Sequence, residues 1–241
     1  MDRIKVLTKH QCELVANEVN RLEESWIPRH ERGFYSLGAA AYLDAPTRQT
    51  IDSFNLEQPE NKQYLNCSAQ YNKLLNHHFA EVYDAVKRSL TDHLKEKVIY
   101  AKGKAKPGFH IFNHHASNAK ATSHVPHYDR QYEGLDWGFD VTIQNAVTIS
   151  YTLPIKIPLA GAGIYFWDIR LEDVVNEEES AALSLVKKAK VCRESYSVGE
   201  LICHPGHQLH RISPWHSNPD EQRLTLQGHG IFLNGCWQLY W

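Results

Sequence analysis

Hydrophobic residues in the first part of the chain recur every three or four positions, which is the spacing of an amphipathic helix. Over residues 9–22 they fall on one helical face, and Thr8, just before them, is a residue type that caps helix N-termini. A second stretch, from about residue 61 to residue 96, repeats the pattern over a longer distance. The sequence therefore predicts one helix at 9–22 and one long helix, or two in succession, over 61–96.

The pattern changes along the rest of the chain. Residues 33–43 have the composition of a strand or a loop, and after Gly103 the apolar residues occur in short or alternating runs separated by Gly, Pro and Asn. Such runs are typical of β-strands. The C-terminal half is therefore predicted to be mainly strand, at positions that include Phe109, Ile111, Val141, Ile143, Ala146, Thr148, Ser150 and Thr152.

One segment interrupts these predicted strands. It carries acidic residues at 177–179 and lysines at 187 and 188, an order that complements a helix dipole. We predict an inserted helix at about 172–190. A solvated surface helix is the simpler interpretation, and an active-site lid is the alternative.

The sequence contains no internal repeat and no low-complexity linker. Its 241 residues, 42% of them hydrophobic, suit a single globular domain. We therefore expect one domain over 1–241, in which a mainly helical part at 1–98 supports a β-core at 99–241.

Charge and hydropathy exclude several classes of protein. The 26 basic and 28 acidic side chains leave a net charge of −2, which argues against a nucleic-acid partner. No apolar run approaches the ~20 residues that a membrane span needs. The first eight residues carry charges where a signal peptide would be apolar. We expect a soluble, cytoplasmic protein with no membrane partner; its oligomeric state is left open.

Histidine is the unusual feature of the composition, with 15 residues, whereas the five cysteines are scattered and form no C-x-x-C pair. A disulfide scaffold or a zinc ribbon is therefore not expected. His127 and Asp129 form an H-x-D pair, and in an extended chain residues i and i+2 point to the same side. These two side chains can therefore face one metal ion.

A third candidate ligand lies further along the chain. His210 follows an apolar strand and the Pro205-Gly206 turn. Two imidazoles and one carboxylate on one face of an octahedral ion leave three adjacent positions open, as in non-haem iron(II) oxygenases. The set His127, Asp129 and His210 therefore points to that chemistry.

Residues 199–212 resemble a stretch of the Fe(II)/2-oxoglutarate dioxygenases in which a glycine, an acidic residue, an apolar strand and a Pro-Gly turn lead to the distal histidine. The separation of 83 positions from His127 to His210 suits that family. Arg223 and Thr225 alternate on a predicted strand and resemble the family's basic residue and hydroxyl that hold 2-oxoglutarate. The resemblance covers roughly residues 99–232, including the Gly-led strand at 161–167.

The resemblance implies a double-stranded β-helix of the jelly-roll or cupin type with helical support. It implies Fe(II) held by His127, Asp129 and His210, with 2-oxoglutarate and O2 as co-substrates and with the far carboxylate of 2-oxoglutarate on Arg223 and Thr225. The expected reaction hydroxylates an unactivated C–H bond and releases succinate and CO2. Asp129 favours hydroxylation, because halogenating members have a small residue there.

The substrate is expected to be a small molecule, such as a free amino acid or a derivative. A protein side-chain hydroxylase and a non-catalytic, cupin-like iron-binding or sensing protein remain alternatives. Residues that we expect to contact the substrate or to support the ligands are His124, Arg130, Asp168 and His229.

The histidines at 204, 207 and 210 also form an H-x-x-H-x-x-H cluster that suggests a zinc site. The Pro205-Gly206 turn breaks any helical register between them, and no carboxylate has a matching offset. We therefore expect no zinc there. If Arg223 is not the carboxylate-binding residue, Arg211 is the next candidate.

Overall fold

In this computed structural model the described residues are 1–29, 33–44, 59–113, 125–139, 141–213 and 221–241. The helices are α1 (Lys9–Arg21), α2 (Ala41–Asp44), α3 (Pro59–Leu94) and α4 (Glu179–Lys188). The strands are β1 (Asp2–Lys5), β2 (Ile27–Pro28), β3 (Phe34–Leu37), β4 (Val98–Tyr100), β5 (Gly108–Asn113), β6 (Thr148–Lys156), β7 (Gly163–Arg170), β8 (Val191–Ser195), β9 (Glu200–Pro205), β10 (Gln208–Ile212), β11 (Gln222–Leu233) and β12 (Cys236–Tyr240).

The strands form two sheets. The large sheet has the order β1-β9-β6-β11-β5-β3-β2, with β12 paired to β11 and to β4, and the small sheet has the order β10-β7-β8. All pairs are antiparallel except β12 with β4. This is the predicted mainly-β jelly-roll architecture with helical support, and the fold class is confirmed.

The two faces of the large sheet have different partners. Outward-facing side chains such as Leu224, Leu226 and Leu153 are fully buried in one apolar cluster with Val19 of α1 and Leu90 of α3. The inner face carries the alternate residues of the same strands and faces the small sheet. The helices and the large sheet thus share one core, which leaves the space between the sheets for polar side chains.

The first predicted helix is confirmed as α1. The Thr8 hydroxyl accepts a hydrogen bond from the Gln11 backbone N–H at 3.2 Å, and the Gln11 side chain accepts one from the Thr8 backbone N–H at 2.9 Å. This reciprocal pair is a capping box. The second helical region is α3, which is interrupted at Phe79, where φ is −130° and ψ is 24°. It therefore forms two helical segments in succession.

Three strands of the N-terminal part join the large sheet. Residues 33–43 contain strand β3 and the beginning of helix α2, and β3 pairs with β5. The charged segment β1 pairs with β9, from Asp2 opposite Cys203 to Lys5 opposite Glu200. The N-terminal part thus supplies strands of the β-core in addition to helices.

The strand prediction is wrong for Val141, Ile143 and Ala146. Residues 141–147 form turns that lead into β6. Ile143 is nevertheless buried, and Val141 and Ala146 pack against a second apolar cluster. These three residues therefore contribute to apolar packing, although the backbone that carries them forms turns and not a strand.

The inserted helix is confirmed as α4, which is shorter than the predicted range. It buries none of its residues, and the side chain of Leu183 is 51% exposed. This favours the surface-helix interpretation. Among the described helices, none is long and apolar enough to cross a membrane.

Candidate metal centre

His127, Asp129 and His210 converge at one point between the two sheets. One potential ligand atom from each of them lies within 4.8 Å of the others. His210 Nε2 is 3.3 Å from Asp129 Oδ2, and His127 Nε2 is 3.9 Å from Asp129 Oδ1. Asp129 and His210 are buried, while His127 is exposed on one side. The structure thus brings together the three residues that the sequence singled out.

Backbone hydrogen bonds hold the two histidines in place. The N–H of His127 donates to the carbonyl of His210 at 2.9 Å, and the N–H of His210 donates to the carbonyl of His127 at 3.1 Å. This single antiparallel bridge places His127 beside β10 of the small sheet. Because directly paired residues project to the same side of a sheet, the two imidazoles lie next to each other, with ring centroids 4.5 Å apart.

The carboxylate is placed by the turn between β9 and β10. The N–H of Asp129 donates to the carbonyl of Gly206 at 3.0 Å, and the N–H of Gly206 donates to the carbonyl of Thr148 at 3.1 Å. A Cβ atom at Gly206 would lie 2.7 Å from Thr148 Oγ1. A glycine is therefore needed for the turn to approach β6 this closely.

Each imidazole has one nitrogen bonded to the backbone. Nδ1 of His127 lies 2.9 Å from the carbonyl of Val125, and Nδ1 of His210 lies 2.8 Å from the carbonyl of Gln208. Because a carbonyl only accepts, Nδ1 carries the proton, and Nε2 keeps its lone pair toward Asp129. Burial also lowers the pKa of His210, which favours the neutral ring that a metal requires.

Hydrogen-bond donors surround the Asp129 carboxylate. The Ser150 hydroxyl donates to Oδ2 at 2.5 Å, and Gln131 Nε2 donates to Oδ1 at 3.1 Å. Nδ1 of His229 lies 3.6 Å from Oδ2 and 3.1 Å from the Ser150 hydroxyl. Burial by itself would raise the pKa of Asp129, whereas its coupling to His210 and His229 lowers it, so that any proton bound by this group resides on an imidazole and not on the carboxyl. Asp129 is therefore ionised.

A cavity of about 330 Å³ opens beside these three residues. The metal-binding candidates form part of its wall, and inner-face residues of the large sheet form much of the remainder. Its lining includes Phe34, Tyr42, His110, Phe112, Val125, Gln131, Ser150, Tyr151, Thr152, Ile164, Tyr196, His204, Ile212, Gln227, Gly228 and His229. A small molecule in this cavity would therefore lie next to a metal bound by His127, Asp129 and His210.

Arg223 is buried on the inner face of β11, with 1% of its surface exposed. Its guanidinium carbon lies 5.3 Å from the ring centroid of Phe112 and 5.4 Å from that of Tyr196. Within the described part of the chain, its Nε and Nη2 atoms have no hydrogen bond of good geometry, and the neighbouring polar group is the Tyr196 hydroxyl, which favours the charged guanidinium. An unpaired buried cation is costly, and a carboxylate is the ligand that a guanidinium binds best. Arg223 therefore fits a carboxylate-bearing ligand.

Thr225 lies on the same face of β11 but is fully buried, and its hydroxyl accepts a hydrogen bond from Gln227 Nε2 at 3.2 Å. Arg223 and Thr225 are not part of the cavity lining as described, whereas Phe112 and Tyr196 are. Arg223 thus lies directly behind these two rings. Arg211 is on the opposite face of the small sheet, with its guanidinium 5.0 Å from the ring centroid of Tyr165.

The other candidates have different surroundings. His229 lines the cavity, as described above. Arg130 donates to Glu133 Oε1 at 2.9 Å and is not among the described cavity residues. Asp168 is exposed and also lies outside that lining. His124 lies outside the described residues. Of the three that lie among the described residues, His229 is therefore the one placed at the centre.

The histidines of the H-x-x-H-x-x-H cluster do not converge on one point. Nε2 of His207 lies 2.9 Å from the Tyr132 hydroxyl, and its Nδ1 bonds Glu172. Nδ1 of His204 lies 2.9 Å from the carbonyl of Pro205, while its ring packs 4.6 Å from that of His210. Among the described residues, the metal-binding group that converges is His127, Asp129 and His210.

Sequence reasoning missed Ser150, Gln131, Tyr196 and His110 as site residues. Ser150 and His110 occupy inner-face positions on strands whose other side faces the core. A polar residue at alternate positions of an otherwise apolar strand was the available signal for both. Tyr196 lies in the connection after β8, and nothing in the local sequence marks it.

No family model matches the sequence, and no curated protein matches it. Solved structures do match. An N-substituted L-amino acid dioxygenase from Burkholderia ambifaria, in complex with alpha-ketoglutarate (2-oxoglutarate), is 16% identical, with a TM-score of 0.50 over 97% of this chain and 92% of that chain. A second structure of that dioxygenase is 15% identical, with a TM-score of 0.50 over 94% of this chain and 89% of that chain.

A Pseudomonas putida prolyl-4-hydroxylase covers 97% of this chain and 92% of its own, at 12% identity and a TM-score of 0.40. At these identities the similarity is one of fold, and it rests on the Burkholderia protein. The match to the Burkholderia protein extends over nearly the whole of this chain. The chain therefore has the jelly-roll, double-stranded β-helix fold of that dioxygenase.

Proposed function

We propose that this protein is an Fe(II)- and 2-oxoglutarate-dependent oxygenase that hydroxylates a C–H bond of a small molecule. The observation that carries the proposal is the convergence of His127, Asp129 and His210 beside a cavity. Two neutral imidazoles and one carboxylate are the donor set typical of non-haem Fe(II) oxygenases.

His127 and His210 would hold the iron through Nε2, and Asp129 through a carboxylate oxygen. Ser150 and Gln131 each donate to one oxygen of Asp129, so that the carboxylate keeps its orientation. Such contacts to a metal ligand fix its direction and its basicity. Bound Fe(II) and 2-oxoglutarate together would supply O2-dependent oxidation of a C–H bond, with formation of succinate and CO2.

Arg223 would bind the far carboxylate of 2-oxoglutarate, since two of its nitrogens are buried without a partner. The accompanying hydroxyl would come from Thr225, which the resemblance implies for this role, or from Tyr196, whose ring lies over the guanidinium. The Thr225 hydroxyl accepts a hydrogen bond from Gln227 and keeps its own proton to donate. Phe112 and Tyr196 both contact Arg223 and line the cavity, so the guanidinium lies close to the space that a ligand would occupy.

Asp129 also bears on the outcome of the reaction. A carboxylate in the third protein position leaves two coordination sites for 2-oxoglutarate and one for O2, and no site for a halide. We therefore expect a product that gains one oxygen atom even in high chloride. Mass spectrometry of the product tests this, and incorporation of chlorine by the unmodified protein would contradict the assignment of Asp129 as a ligand.

A two-part experiment tests the function itself. Anaerobic addition of Fe(II) and 2-oxoglutarate should produce a visible charge-transfer band, and addition of O2 should convert 2-oxoglutarate into succinate. His127→Ala and His210→Ala should each abolish both signals, because two donors do not hold the ion well. His10→Ala, which replaces an exposed histidine of α1, is the matched control and should keep both.

The two readouts separate the proposal from its alternatives. A band without succinate in a screen of small molecules would favour a non-catalytic iron-binding protein. Succinate formation with peptides but not with small molecules would favour a protein hydroxylase. Full retention of the band in both His→Ala variants would contradict the metal assignment.

A further inference from the structure

We infer that the substrate is an uncharged molecule with an aromatic ring, which excludes the free amino acids suggested by the sequence. This inference rests on the proposed function, because it assigns the substrate of the same cavity. It also differs from the substrate in the name of the Burkholderia dioxygenase, since an L-amino acid carries a carboxylate.

The first argument is the chemistry of the cavity wall. Among the described residues that line it, Asp129 is the only acid, and no lysine or arginine is present. Asp129 is committed to the proposed metal. A charged substrate would therefore lose its hydration on entry without gaining an ion pair, which is unfavourable in a buried site.

The second argument concerns two cations of the described residues that lie near the wall, Arg29 and Arg223. Arg29 binds Asp44 through two hydrogen bonds, Nη1 to Oδ1 at 2.7 Å and Nη2 to Oδ2 at 2.9 Å, and its side chain is 6% exposed. Its charge is therefore already neutralised. In the proposed function, Arg223 binds the far carboxylate of 2-oxoglutarate. Neither guanidinium is available to a substrate carboxylate.

The third argument is the aromatic surface that faces the cavity. Phe34 and Phe112 stack with ring centroids 4.3 Å apart and planes 2° apart, and His110 packs edge-on against Phe34 at 5.0 Å. Burial lowers the pKa of His110 well below its ordinary value, so that its ring is neutral. The Tyr42 hydroxyl bonds Nε2 of the same histidine. This end of the cavity thus offers flat apolar rings and neutral polar groups.

Two aliphatic side chains line the cavity next to the metal ligands. Val125 and Ile212 each lie two residues from one of the histidines and belong to the cavity lining. A planar, uncharged ring would therefore contact aromatic side chains of the large sheet and aliphatic ones beside the metal. Aromatic pairs in offset or edge-on geometry stabilise such a contact beyond the burial of area.

Four ligands that share one ring test the inference. We would measure the affinities of 4-ethylphenol (uncharged), tyramine (cationic), 3-(4-hydroxyphenyl)propionate (anionic) and tyrosine (zwitterionic). Calorimetric titration would use the unmodified protein under anaerobic conditions with Fe(II) and 2-oxoglutarate. We expect 4-ethylphenol to bind at least about tenfold more tightly than each charged ligand, a difference of about 1.4 kcal/mol. Equal or tighter binding of any charged ligand, or no binding of 4-ethylphenol, would overturn the inference.

A variant with a new charge in the cavity wall provides a second test of the inference. Ile212→Lys places a cation in the cavity wall, and we expect it to raise the affinity for 3-(4-hydroxyphenyl)propionate and to lower the affinity for tyramine. Ile212→Met, which is uncharged and of similar volume, is the matched control and should keep the order of the unmodified protein. An order of affinities in Ile212→Lys like that of the control would also count against the inference.

A separate measurement in the same experiment tests the proposed function. The charge-transfer band of Fe(II) and 2-oxoglutarate is recorded before any phenol is added. A normal band with the wrong order of affinities would reject the uncharged substrate and leave the oxygenase assignment intact. Absence of the band would reject the oxygenase assignment itself.

Discussion

Strand β11 contributes side chains to both faces of the large sheet, and the two faces have different surroundings. Leu224 and Leu226 face the helices, and both are fully buried in the apolar cluster. Arg223, Gln227 and His229 alternate with them and face the small sheet, where Gln227 and His229 line the cavity. Because neighbouring residues of a strand point to opposite faces, one segment supplies both the core and the site.

The two faces also differ in the number of buried polar atoms that lack a hydrogen-bond partner. The outer face is a cluster of mainly apolar side chains, in which the buried Tyr151 hydroxyl has no hydrogen-bond partner among the described residues. The inner face holds buried polar atoms without partners in the described structure, including Nε and Nη2 of Arg223 and Nδ1 of His110. Unpaired buried polar groups destabilise a fold, and they are typical of sites prepared for a ligand. Substitutions on the two faces should therefore separate stability from ligand binding.

The largest effect on stability is expected at Leu226 of the outer face. Leu226→Ala should lower the free energy of unfolding by about 2–5 kcal/mol, because it leaves a cavity in a closely packed cluster. The concentration of 2-oxoglutarate needed for half-maximal binding should stay the same in the folded fraction. Urea denaturation and titration of the charge-transfer band measure the two quantities, and a changed 2-oxoglutarate requirement would show that the faces are coupled.

Substitution of Arg223 on the inner face should weaken ligand binding without lowering stability. Loss of a guanidinium from a buried carboxylate costs about 2–5 kcal/mol. Arg223→Met should therefore raise the 2-oxoglutarate requirement by about thirtyfold or more. The same substitution removes an unpaired buried charge, so the ligand-free protein should become more stable, by on the order of 1 kcal/mol.

Arg211→Met is the matched control for this substitution. Arg211 lies on the other face of the small sheet against Tyr165, so its replacement should leave the 2-oxoglutarate requirement unchanged. If the requirement rises in Arg211→Met and not in Arg223→Met, the carboxylate-binding residue is Arg211.

A smaller effect is expected at Ser150, which contacts Asp129 without being a ligand. Ser150→Ala removes the donor that lies 2.5 Å from Asp129 Oδ2. Contacts of this kind are worth about 10- to 100-fold in metal affinity, so Fe(II) binding should weaken by about tenfold or more. Competition with a chelator of known affinity measures the change.

Ser68→Ala provides the comparison for Ser150→Ala. Ser68 is also buried, but its hydroxyl donates to the carbonyl of Tyr64 within α3. Its replacement should affect stability alone. Equal Fe(II) affinities in the two variants would mean that the Ser150 hydroxyl does not support the carboxylate.

Much of the fold and the centre of the site could be predicted because their signals are local. The cap at Thr8, the H-x-D pair at 127 and 129, and the Pro205-Gly206 turn each depend on residues close together in sequence. The turn also predicts where β10 begins and so where His210 lies. The assignment of iron to these residues stays a prediction, since it depends on a group that the sequence does not contain.

Features that depend on distant pairing were missed. Strand β1 is short and charged, and it is a strand because β9 offers it an edge, which no local pattern reports. Tyr196 is recognised as a site residue through its contact with Arg223, which lies far from it in sequence. Thr225 lies on the same face of β11 as Arg223, as the alternation indicated, and its role toward 2-oxoglutarate stays a prediction.

The paired backbone bonds between His127 and His210 have a consequence for how this protein can change over time. These two bonds, together with the bond from Asp129 to Gly206, set the spacing of the three side chains. The spacing therefore does not depend on the length of the segment between His127 and His210. The 83 positions from His127 to His210 include the exposed helix α4, which is not in the described cavity wall. Insertions or deletions there should alter the outline of the molecule and leave the three donor atoms where they are. Descendants of this chain can therefore vary widely in length while keeping the arrangement of these three side chains.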